Sequence, residues 1–259
     1  MAKIIWDAEG QKLYSTGTRH GVLYKSASTP YKVNDKILSN YAPGVGWNGL
    51  TGVTETPSGA EANDNYADDI KYVTTRGAEN YGFTVEAFMA PDEWAECDGS
   101  AWISDLEGIM KVGQQMRKSF GMCHKSVLGN DTQKDLYGYE IHIQYNATAS
   151  PSERSLATIN ENPELVTYSW ECSCDPVNFT GSDKPTANVI IKCTQDNDMI
   201  EVVNNQPVPK SNALAILEDV LYGTATTEPT LPTIDVIMEI LKLGPDTTKT
   251  AADYARPVQ

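Results

Sequence analysis

Two groups of residues have the types and spacing that could do chemistry. Gly44-Val45-Gly46-Trp47-Asn48-Gly49 matches G-x-G-x-x-G letter for letter, the pattern that brings backbone close to a pyrophosphate. Such a site needs a buried strand before it and a helix after it, whose N-terminus receives the phosphate. Here Tyr41-Ala42-Pro43 precedes the pattern, Leu50-Thr51-Gly52 follows it, and bulky Trp47 stands beside the glycine that should admit the ligand. A glycine-rich turn is the better reading. Asp92, Glu93, Glu96 and Asp98 form an acidic cluster that could hold a cation or supply the paired carboxylates of a metal-assisted hydrolase. A charged surface turn around Trp94 is the plainer account.

Other signals fall short sooner. The chain has no Walker A loop and no G-x-S-x-G elbow. His20, His124 and His142 are scattered, and a strand histidine such as His142 is expected on a solvated face. Cys97, Cys123, Cys172, Cys174 and Cys193 include no Cys-x-x-Cys pair, so buried free thiols are expected ahead of a metal site. Asp196-Asn197-Asp198 starts like a calcium loop without its sixth-position glycine. No catalytic residue, cofactor or metal is expected.

The elements around these residues are mostly strands. Tyr139–Tyr145, Tyr168–Cys174 and Ala187–Thr194 alternate apolar and polar positions, the period of a half-buried strand. Antiparallel pairing is expected, with hairpin links at Gly129-Asn130-Asp131 and at Gln195–Asp198. Helices come late. Ser211 can cap one with Leu214, Leu217 and Leu221 on a face and Gly223 past its end; a second starts near Pro232 and stops at Gly244-Pro245. Pro91–Glu96 suggests a short helical turn. The polar, glycine-rich stretch Ala42–Asp69 reads as a long loop or extended arm. The residues after Thr247 read as a mobile tail. The expectation is a mainly β, antiparallel sandwich or barrel-like domain over residues 1–204, followed by a helical C-terminal appendix over 205–259.

Composition narrows the classes of function. The 259 residues carry 20 Lys and Arg against 35 Asp and Glu, a net charge of −15. That balance argues against tight binding to nucleic-acid phosphates. Five Trp and 13 Tyr supply apolar surface that a disordered chain would lack. No apolar run approaches the ~18 residues that span a bilayer, and Asp7 and Glu9 interrupt the opening apolar residues. A cytosolic product is the expectation.

Several phrases in order give the chain a family likeness. Trp47-Asn48-Gly49-Leu50-Thr51-Gly52-Val53 runs into Ser58-Gly59-Ala60-Glu61 and Tyr66-Ala67-Asp68. Then follow Pro91-Asp92-Glu93, Glu96-Cys97-Asp98-Gly99, Gly113-Gln114-Gln115 with Arg117-Lys118, Leu128-Gly129-Asn130-Asp131, Tyr137-Gly138-Tyr139, Pro151-Ser152-Glu153 and Ala157-Thr158-Ile159-Asn160. The chain resembles the major tail proteins of long-tailed bacteriophages up to about Thr194, and more weakly beyond. That resemblance implies a structural virion protein of the tail, assembled in the host cytoplasm into hexameric rings. The rings stack into a tube through which the genome leaves, with DNA passing without specific binding. The implied partners are further copies of the chain, a tape measure protein, a tail terminator and tail-tip or baseplate proteins. Trp47, Leu50 and Tyr66, the large side chains of the Ala42–Asp69 stretch, are the candidate assembly contacts, the competing reading being that Trp47 packs back onto its own sandwich. Removing Thr51–Asn65 is then expected to leave a folded monomer without tubes. A carbohydrate-binding sandwich using Trp94 and Trp102 as platforms, and the Asp92–Asp98 hydrolase, remain the alternatives.

Overall fold

A computed structural model describes residues 6–106, 108–153, 158, 165–245 and 247–258. Most of the Ala157–Asn160 phrase lies outside them. The first strands are β1 (Leu13–Val33), β2 (Lys36–Tyr41), β3 (Val45–Trp47) and β4 (Leu50–Glu55). Four short or exposed strands follow, β5 (Ser58–Gly59), β6 (Ala62–Ala67), β7 (Ile70–Arg76) and β8 (Glu79–Asn80), then β9 (Gly82–Ala87). A 3-10 turn at Asp92–Trp94 leads into helix α1 (Ala95–Asp98) and the small hairpin β10 (Ala101–Trp102) with β11 (Lys111–Val112). The long strands β12 (Phe120–Asn130) and β13 (Lys134–Ala149) precede β14 (Tyr168–Cys174) and β15 (Asn188–Thr194). The chain ends through hairpin β16 (Ile200–Val203) and β17 (Gln206–Pro209), then helices α2 (Asn212–Tyr222) and α3 (Ile234–Leu241).

The fold is mainly β, as the alternating segments indicate. Nine strands form one antiparallel sheet with the path β2-β1-β12-β13-β14-β9-β4, with β15 added on β13 and β3 on β1. Long strands serve two neighbours in succession. β13 pairs β15 from Gly138 to Gln144, then β14 from Ala147 to Ala149. The switch falls at Asn146, whose φ of +49° marks the bend. Such a bend lets one strand turn a corner between layers. At the other end β4 returns to β1: Leu50 Cδ1 lies 2.2 Å from where a Cβ on Gly21 would stand, so the leucine side chain rests directly over the glycine.

Two cores follow from the curl. Inside it lie Leu23, Trp47, Phe83, Val85, Trp94, Phe120, Met122, Trp170, Cys172 and Cys174. The opposite face of β1, β12, β13 and β15 carries Val22, Tyr24, Cys123, Tyr139, Ile141, Ile143, Tyr145 and Ile191, covered by Leu214, Leu217, Leu221, Ile234 and Ile237. The central strands are therefore buried on both faces, and the helical end closes the larger core. Tyr24 ties the layers by donating its hydroxyl to Leu221 O at 2.6 Å; Tyr145 does the same to Pro232 O at 2.8 Å.

Several expectations are corrected. The C-terminal residues are packed: Ala251, Tyr254 and Ala255 are buried in the larger core, and the Arg256 guanidinium donates to Tyr41 O at 2.9 Å. Ser211 does sit at the N-cap of α2, but its side chain makes no capping bond. The Gln195–Asp198 turn joins β15 to β16 without pairing them, because β16 pairs β17. The Ala42–Asp69 stretch is not one loop, since β3 and β4 place its first half in the main sheet.

Candidate assembly interface

Four strands leave the body altogether. Ser58↔Asn80 and Gly59↔Glu79 form a stalk, and β6 pairs β7 beyond it. Every residue of β5 to β8 is exposed. A two-stranded hairpin standing alone in water is marginal, so its strands need reinforcement from their own side chains or from another chain. Part of that is local: Lys71 pairs with Asp64 at 2.8 Å, and Thr74 donates to the same carboxylate at 2.7 Å. These two partners hold the Asp64 carboxyl below its ordinary pKa, Lys71 first. The remaining apolar residues, Tyr66, Ile70, Tyr72 and Val73, face solvent, Tyr66 being 69% exposed.

Asp68 and Asp69 make the tip of this hairpin. Their φ angles, +51° and +62°, are both left-handed, and Ala67 pairs with Ile70 across them. That is the two-residue turn whose twist suits a hairpin, with Asp and Asn among its preferred residues. The same geometry recurs at Asn34-Asp35, between β1 and β2, and at Asn204-Asn205, between β16 and β17. The sequence reading missed the Asp68-Asp69 hairpin, and this pair is the signal that could have found it.

The three candidate contacts separate. Tyr66 stands on the projecting hairpin. Leu50 is half-buried on β4, against the inner core. Trp47 is a correction: it is 3% exposed within its own subunit. Its ring packs 4.8 Å from Trp94 and 5.7 Å from Trp170, and its Nε1 donates to Met89 O at 2.9 Å. A side chain already satisfied and buried has nothing left to bury against a neighbour. Trp94 is likewise 1% exposed, so it cannot serve as a carbohydrate platform on the surface.

A second unpartnered surface lies on the body. Phe88, Met89, Ile103, Ile109, Met110 and Met116 are exposed large apolar residues, Met116 at 90%. A 980 Å³ cavity lined by Met89, Trp102, Lys111 and Arg117 opens beside them. Methionine-rich apolar surface adapts readily to a partner.

A third feature flanks the glycine-rich turn. A groove of 670 Å³ is lined by Arg19, His20, Asn48, Leu50, Lys125, Glu218 and Tyr222. Two irregularities in β1, between Thr16 and Arg19 and between Arg19 and Val22, place Arg19 and His20 there, with His20 at φ +55°. Lys125 is 9% exposed, pairs with Glu218 at 2.8 Å and lies 4.4 Å from the Tyr139 ring centroid. The Tyr139 hydroxyl donates to the same Glu218 oxygen at 2.5 Å. Burial, then the charges of Lys125 and Arg19, lower the His20 pKa against the opposing pull of Glu218. The glycine pattern itself forms a strand and turn, with Gly49 at φ +79° and no helix after it.

The acidic cluster is dispersed by lysines. Glu96 pairs with Lys25 at 2.7 Å and Lys118 at 2.5 Å, while Asp98 pairs with Lys111 at 3.1 Å. Among the described residues, no group of three or more His, Cys, Asp or Glu could hold a metal ion. All five cysteines are free and buried.

Two of the scattered histidines meet. His124 on β12 lies opposite His142 on β13, their rings parallel within 4° and 4.7 Å apart. His142 Nε2 shares a hydrogen bond of 2.8 Å with Ser126 Oγ. Burial and the neighbouring His142 push the His124 pKa down to about 3. The expectation of a solvated His142 is corrected, because its side chain is only 14% exposed. Sequence separation hid this pair; only the β12–β13 register brings the rings together.

No described helix is long and apolar enough to cross a membrane. No family model matches the chain, and no curated protein matches it.

Proposed function

We propose that this chain is a structural subunit that polymerises into stacked rings around a hollow tube, as the resemblance to phage major tail proteins implies. The observation that carries the reading is the projecting hairpin, whose strand residues in β5 to β8 are all exposed, with Tyr66, Ile70 and Tyr72 in water. A ring needs a heterologous interface, one patch meeting a different patch on the next copy. The projecting hairpin is one such patch, and the body supplies the other. Stacking needs a further pair of contacts, and the exposed faces supply room for it. The net charge of −15 suits a conduit for DNA, since an acidic wall does not retain phosphates. In this reading the tape measure protein, tail terminator and tip proteins are the other partners, and the site of action is the virion tail.

Negative-stain electron microscopy and sedimentation of concentrated protein, with and without tail-tip components, test the proposal. Rings or tubes are expected. A monomer at every concentration, with tip components present, overturns it. Replacing residues 60–78 by a short glycine–serine linker removes the hairpin above the Gly59↔Glu79 pair and touches no core strand. That variant is expected to fold, by circular dichroism, and to form no tubes. Deleting Thr51–Asn65 is no longer a clean test, because it removes most of β4, which pairs with β9.

A further inference from the structure

We infer that the acidic tip of the projecting hairpin is received by the cationic groove of a second copy of this chain, at Arg19 and Lys125. The inference rests on the assembly reading and names the partner surface for its hairpin.

The tip presents two carboxylates in a fixed turn, and among the described residues neither Asp68 nor Asp69 makes an ion pair. Tyr66 and Ile70 flank them and are exposed. The groove offers the complement. Arg19 makes no ion pair among the described residues, and Lys125 shares its charge with one carboxylate, Glu218. Arg19 and Lys125 against Glu218 leave a net positive site on a chain whose total is −15. Leu50 and Tyr222 supply apolar walls for the flanking side chains. Bulges of the kind that place Arg19 and His20 here commonly re-aim side chains at functional sites. Opposite charges arranged this way set register and speed encounter, while like charges reject wrong partners. The six residues of β6 extend ~20 Å at ~3.3 Å each, enough to leave one body and reach another. Within its own chain the hairpin stays exposed, so the groove it fills belongs to a neighbour. This contact is heterologous, and repeating it propagates an assembly.

Two experiments on the full chain test the contact. The native thiols are buried, so an introduced surface cysteine is the reactive one. Asp69→Cys protein and Asn48→Cys protein are mixed under a mild oxidant; Asn48 lines the groove. Covalent dimers are expected about tenfold faster in the mixture than with either variant alone. Separately, Arg19→Glu is expected to lower association about tenfold or more, and Asp68→Lys with Asp69→Lys in the same chain to restore it. Circular dichroism checks that each variant is folded. Assembly of wild type without preferential cross-linking, or normal assembly of folded Arg19→Glu, overturns the groove and leaves the assembly reading standing. A wild type that does not assemble, together with no preferential cross-linking between the two cysteine variants, overturns both.

Discussion

Acidification should destabilise this protein through His124 before its carboxylates titrate. In the folded chain the His124 pKa is about 3, against an ordinary 6.5. Burial disfavours the imidazolium, and the His142 ring stacked on it adds to the cost of charging. The unfolded chain binds the proton near pH 6.5, so between pH 6.5 and 3 it holds more protons than the folded one. Stability is therefore complete above pH 6.5 and falls as the pH drops through that window. At pH 5 the loss is about 1.5 pH units at ~1.36 kcal/mol each, or ~2 kcal/mol. That is a large share of the ~5–15 kcal/mol that holds a domain folded. His142, also lowered by burial although Glu140 and Glu55 pull it up, adds in the same direction. Phe is the informative replacement, since it keeps the stacked ring and cannot take a proton. The buried Nδ1 of His124 has no partner to lose. Urea unfolding at pH 7.5, 6 and 5 should show wild type losing ~2 kcal/mol more than His124→Phe between the extremes. Glu96 and Asp64, held below their ordinary pKa by lysines, are present in both proteins and cancel in the comparison. Equal losses in the two proteins, or a His124 ring titrating near pH 6.5 by NMR in the folded state, would refute the reasoning.

Other outcomes follow from the same packing. Trp47→Ala should cost ~3–5 kcal/mol in chemical unfolding, because the ring fills the space between Trp94 and Trp170; a wild-type midpoint would mean the ring is not core. Glu218→Gln strands the Lys125 ammonium in a site where it is 9% exposed, so a loss of ~3–5 kcal/mol is expected in the same assay, and a neutral result would show that water reaches the lysine. A chromogenic disulfide reagent at pH 8 should find no reactive thiol in native protein and five after unfolding. Burial pushes Cys97, Cys174 and Cys193 up to about 12 and Cys123 up to about 11. Rapid native labelling of any one would place that thiol at the surface.

Strands, late helices and a mainly β molecule can be read from the order of residues without any coordinates. Those are local properties. Alternation from Tyr139 to Tyr145 fixes which residues share a face, and the stripes of Leu214 and Ile234 fix what the helices bury. The paired Asn and Asp turns carried a local signal that the sequence reading missed, since only a few residue types tolerate two successive left-handed angles. What the sequence could not say is which faces meet. His124, Lys125 and Ser126 are all buried, although a window around them reads as half polar, because β12 is covered on both sides by segments far along the chain. Trp47 looks like a free aromatic in a polar stretch until the fold brings Trp94 and Trp170 to it. Tyr254 and Ala255 read as tail until the larger core takes them in. Burial depends on pairings between distant segments, and the entropy of closing those loops is repaid only by contacts that form all together. For that reason it takes the packed fold to show that Tyr66, and not Trp47, faces outward.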